Sequence, residues 1–118
     1  MSNGREKATE RLRHIVEAAE TIQTYATRGR EAFDADQTLR DAILYQIVVI
    51  GEAAKSALDA DPSIEDDLPE IEWSPMARMR DRVAHHYWAT DNDVVWTTAV
   101  ESVPKLYNAL VKALERLK

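Results

Sequence analysis

The 118-residue chain contains no cysteine, three glycines, four prolines and one phenylalanine. Without cysteine, disulfides and thiolate metal sites are excluded, and a reducing compartment is the natural setting. So few breakers leave little to interrupt an element, which favours long helices over many short strands. No apolar run approaches the roughly 18 residues that a membrane span needs. The opening "MSNGREKATERLRH" is polar and charged, with no signal-peptide pattern. A cytoplasmic protein without a membrane partner is therefore expected, as a single domain over residues 1–118.

What is present is charge, unevenly spread. The net charge is −6. The stretch "DADPSIEDDLPEIE", Asp59 to Glu72, holds seven acids and no base, so the other 104 residues carry +1. From Ser74 to Thr90 three arginines face one aspartate. A locally basic patch suits a phosphate-bearing partner, although most such clusters are hydrated helix faces.

Apolar spacing predicts an all-α, up-and-down bundle of four principal helices. The first covers about 5–28, where Leu12, Ile15, Val16, Ala19, Ile22 and Ala26 form one stripe and Gly29 marks the end. The second covers 36–59, with Asp34 or Asp36 as N-cap. Its centre, "AILYQIVVI", is apolar on nearly every side. Such a helix must be covered all round, as a central helix, a dimer interface or both. Residues 60–73 read as a solvated acidic loop. Ser74 and Pro75 then open a third helix over 75–86 as N-cap and first residue. Thr90 and Asp93 have capping-box spacing ahead of a fourth over 92–117, which Pro104 should kink without ending.

The stretch "RMRDRVAHHYW", Arg78 to Trp88, carries the chemistry. Within it lies Arg80-x4-His85-x-Tyr87. Arginine is a permanent forked donor for phosphate oxygens, and histidine moves protons near neutral pH. Together they suffice, without metal, for attack of an RNA 2′-hydroxyl on the adjacent phosphate. Five residues of ideal helix turn a side chain by about 140°, so Arg80 and His85 do not share a face. Either the third helix unwinds before His85, or two copies of the cluster meet across a dimer. The dimer is preferred, because the second helix already asks for a partner surface. Asp81 stands one turn before His85, where a carboxylate can hold the imidazole and raise its pKa. Arg82 and His86 are read as accessory or substrate-binding. Gly51 reads as a close-packing glycine, and Glu52 as a partner for an arginine of the cluster. Two adjacent histidines point apart on a helix, so no metal site is expected, and no cofactor.

These residues carry a resemblance. "PEIEW" followed by "RMRDRVAHHYW", then "TDNDVVW" and "VPKL", with "IGEAA" in the second helix, resemble the HepT-like branch of the HEPN superfamily over nearly the whole chain. The resemblance implies an all-α homodimer acting as a metal-independent endoribonuclease, the toxin of a toxin–antitoxin pair. It implies Arg80 and His85 as the catalytic pair and a minimal nucleotidyltransferase as the antitoxin. It further implies Tyr87 as the target of AMP transfer from that partner. Asp81 departs from the asparagine often found after the arginine in that family. The alternative reading is a non-catalytic helical module that docks a nucleotidyltransferase or a nucleotide. A plain structural dimer, with the cluster merely packed, is a third.

Overall fold

The computed structural model describes residues 2–85 and 91–117, and these form helices and turns with no strand among them. The helices are α1 (Ser2–Ala26), α2 (Gly29–Ala35), α3 (Gln37–Ala60), α4 (Ile64–Asp67), α5 (Trp73–His85), α6 (Asn92–Thr97) and α7 (Val103–Arg116). A π-helical turn, Thr98–Ser102, joins the last two. Among the described residues, no helix is long and apolar enough to cross a membrane.

The end of α1 shows how one glycine redirects the chain. Gly29 has φ +89°, the left-handed region where a side chain is strained, so the helix stops at Ala26 and the chain turns. An additional helix absent from the sequence reading, α2, starts at once. Its Phe33 is fully buried and packs on Trp96 with ring centroids 5.2 Å apart. Arg30 links α2 to α6 through Asp93. Asp36, one of the two expected caps, opens α3 by accepting from the Thr38 and Leu39 amides at 2.9 and 3.3 Å. Asp34 instead pairs with Arg30.

Helix α3 is the centre of the molecule, with α1 on one side and α5 on another. Ile43, Leu44, Ile47, Ile50, Ala53, Ala54 and Ala57 are buried in this packing, while Val48 and Val49 are half-buried. Tyr45 alone among its large apolar side chains is well exposed, at 66%. Helix α7 packs against α1.

The expected solvated loop over 60–73 is corrected. Ile64, Leu68, Ile71 and Trp73 are buried, and the Trp73 indole N–H donates to the Leu68 carbonyl at 3.3 Å. The apolar residues between the acids thus fold inward, making the one turn of α4 and starting α5 at Trp73 rather than at Pro75. Three of the acids are tied down as well: Arg5 of α1 pairs with Asp61 and Asp67, and Arg116 of α7 with Glu70. At α6 the cap is Asp91, accepting from the Asp93 amide at 2.7 Å; Thr90, the expected cap, lies outside the described residues. The strain of Pro104 is met by the π-helical turn just before it. Proline has no N–H and its ring crowds the carbonyl four residues back, here Val100, and the wider turn accommodates both.

Candidate functional site

Helix α5 is regular through His85, which removes the expectation that it unwinds ahead of that residue. Arg80 and His85 therefore stay about 140° apart around one axis. Arg80 faces α3. Gly51 lies beneath its stem so closely that a Cβ there would stand 2.1 Å from Arg80 Cβ and 2.6 Å from Cγ. This approach is open only to glycine.

One residue further along α3, Glu52 forms an ion pair with the Arg80 guanidinium. Asp81 accepts from Arg80 Nη1 at 2.9 Å. Asp81 first and Glu52 second raise the guanidinium pKa above its already high value, so Arg80 stays charged at every working pH. Its Nε is buried without a hydrogen-bond partner, although a quarter of the side chain remains exposed.

Arg78, Arg82 and His85 are all exposed. Their spacing of four and three residues makes them one basic stripe on a side of α5 different from that of Arg80. The structure thus brings Arg80, Asp81 and Glu52 together and holds Arg82 and His85 apart from them. Asp81, expected to hold the His85 imidazole, accepts from Arg80 instead. His86 and Tyr87 lie outside the described residues. Among the described residues no group of three or more histidines and carboxylates could hold a metal ion.

A cleft of about 260 Å³ opens between α3, α5 and α7, lined by Ile47, Ile50, Met76, Met79, Val103 and Leu106 among others. Sequence reading missed it, since a cleft between three helices depends on how they pack and not on local spacing. Its walls offer mainly hydrocarbon, which suits packing and not phosphate recognition.

The sequence pattern described as "Ribonuclease HepT-like" matches residues 15–113. The chain belongs to the HepT-like ribonuclease family. A "Probable ribonuclease HepT" of Thermococcus cleftensis is 36% identical over 100 residues, covering 80% of this chain and 84% of that one. A "Gamma-glutamylcyclotransferase and putative RNase" of Methanocaldococcus jannaschii is 30% identical over 107 residues, 90% of this chain. The HepT-like chain spans about half, 47%, of that longer relative. A "Putative RNase" of Caldanaerobacter subterraneus subsp. tengcongensis is 26% identical over 108 residues, covering 91% and 94% of the two chains. No solved structure matches the chain.

Proposed function

We propose that the protein is a metal-independent endoribonuclease that acts as a homodimer of up-and-down helical bundles. The observation that carries this reading is the placement of Arg80 in a family of ribonucleases: a permanently charged fork, partly exposed, seated on the central helix. That α5 keeps Arg80 and His85 on different sides supports a catalytic set assembled from two copies, with their α5 helices bordering a shared groove.

In that groove the RNA 2′-oxygen attacks the adjacent phosphorus while a His85 imidazole takes its proton. The bond from phosphorus to the 5′-oxygen breaks, and the imidazolium of the second His85 protonates the leaving oxygen. The guanidinium of Arg80 stabilises the charge that builds on the phosphoryl oxygens. The products are a 2′,3′-cyclic phosphate and a 5′-hydroxyl. Arg78 and Arg82 guide the backbone, and His86 is assigned an accessory role with substrate.

The toxin role, the cognate nucleotidyltransferase antitoxin and the cytoplasmic setting belong to the same reading. AMP transfer to Tyr87 explains neutralisation physically. A bulky anion two residues from His85 would fill the groove, compete for Arg80 and repel RNA.

A second reading has its own observation. Arg80 already faces two carboxylates, which suits a non-catalytic module that docks a nucleotidyltransferase or a nucleotide. One experiment separates the two. Purified protein is incubated with RNA in excess chelator, and the ends of the products are identified. The nuclease reading expects cyclic phosphates that persist on chelation and a loss of at least a hundredfold in Arg80→Ala and His85→Ala. Chelator-sensitive cleavage, or full cleavage by His85→Ala, rejects it.

A further inference from the structure

Arg80 can serve a phosphate only if its fork is held at one angle, and three features of α3 and α5 bear on that. The bare backbone at Gly51 sets where the stem leaves α5. Glu52 then engages Nη2, and Asp81 engages Nη1 at 2.9 Å. The Nε–H is buried with no acceptor, so the plane of the guanidinium is set by the two carboxylates at its far end. A guanidinium has five N–H donors. With one taken on each terminal nitrogen, one N–H remains on each to donate to phosphate oxygens.

We infer that Glu52 is a positioning residue that acts through Arg80, trading some affinity for RNA against a fixed orientation of the fork. This rests on the ribonuclease reading of Arg80. Glu52 is half exposed and is paired with Arg80. Its negative charge works against substrate binding, because it stands beside the site that receives a phosphate. It is retained in this geometry with a specific effect: Arg80 loses rotamer freedom before RNA arrives, and that orientation is worth more in the transition state than in the ground state. Asp81 alone leaves the arginine a single tether on its own helix, whereas Glu52 ties it to the neighbouring one.

The test uses the full chain with Glu52→Gln, which keeps the shape and removes the charge, and Glu52→Asp, which keeps the charge. For RNA cleavage, Glu52→Gln is expected to lower kcat at least tenfold with KM unchanged or reduced, and Glu52→Asp to recover part of kcat. The second readout needs no activity. The Arg80 Nε–H, assigned in a ¹⁵N NMR spectrum by its loss in Arg80→Lys, is expected to exchange with water at least tenfold faster in Glu52→Gln than in the wild type. Cleavage within twofold of wild type in Glu52→Gln, a fall in kcat accompanied by a rise in KM, or an unchanged exchange rate overturns the inference. A wild-type protein that cuts no RNA overturns the ribonuclease reading instead, and the exchange measurement still decides whether Glu52 holds Arg80.

Discussion

Replacing Gly51 with alanine sets two physical effects of opposite sign against each other. Helix propensity alone predicts a gain, since alanine is better than glycine in a helix interior by about 1 kcal/mol. Packing predicts a loss. The new methyl would stand 2.1 Å from Arg80 Cβ, whereas carbon atoms rest at roughly 3.5–4.0 Å. Neither atom is the end of a flexible side chain, so no rotamer change relieves the clash. Helices α3 and α5 must part by about 1.5 Å, and overpacking of this kind costs up to about 3 kcal/mol. The balance is a net loss of about 2 kcal/mol. In urea denaturation followed by circular dichroism, the midpoint should drop by about 1 M, given a slope of about 2 kcal/mol per molar. Because Arg80 is what moves, RNA cleavage should fall by up to about a hundredfold, a loss that a 1 Å misplacement can cause. A Gly51→Ala protein as stable as wild type, or more stable, would show that α3 and α5 do not meet as described, and the seating of Arg80 would go with it.

Two further predictions test the packing of α2 and the anchoring of the acidic segment. Phe33→Ala removes a fully buried ring stacked at a tilt on Trp96, and about 4 kcal/mol of stability should go with it in a urea titration. A loss under 1 kcal/mol would mean that α2 is not part of the core. Acid should weaken the fold through Asp61 and Glu70. The Ser63 hydroxyl and then Arg5 hold the Asp61 carboxyl below its ordinary pKa, and a backbone N–H and then Arg116 do the same for Glu70. Since both folded values are depressed, their stabilisation is complete above the unfolded values near 4 and disappears as pH falls through the folded ones. Urea midpoints on this account are flat from about pH 5.5 to 7.5 and decline below about pH 4. The decline should be shallower in the Asp61→Asn, Glu70→Gln double variant, and an equal slope in both proteins would refute the assignment.

Much of the helical layout was legible in the chain because helices are read from local spacing. The stripe from Leu12 to Ile22, the apolar centre of α3 and the cap at Asp36 each depend on residues within one or two turns. The regions that were misread depend on distant partners. Residues 60–73 looked like a solvated loop because six acids dominate the composition, yet Ile64, Leu68 and Ile71 reach the core and Arg5 and Arg116 come from the two ends of the chain. Helix α2 is only seven residues long, too short for a periodic signal, and it is held by Trp96 and Asp93 some sixty positions away.

The Arg80-x4-His85 spacing by itself determined that the two side chains lie on different sides of any regular helix, because the rotation per residue is a property of the backbone. It also supplied the chemistry, since a guanidinium brings a lasting positive charge and an imidazole a group that can move protons near neutral pH. Which arginine of Arg78, Arg80 and Arg82 turns inward was decided only by tertiary structure. Periodicity says which residues share a face, but the covering helix chooses the face, and here α3 chose it by offering a residue without a side chain beneath Arg80 and a carboxylate just beyond.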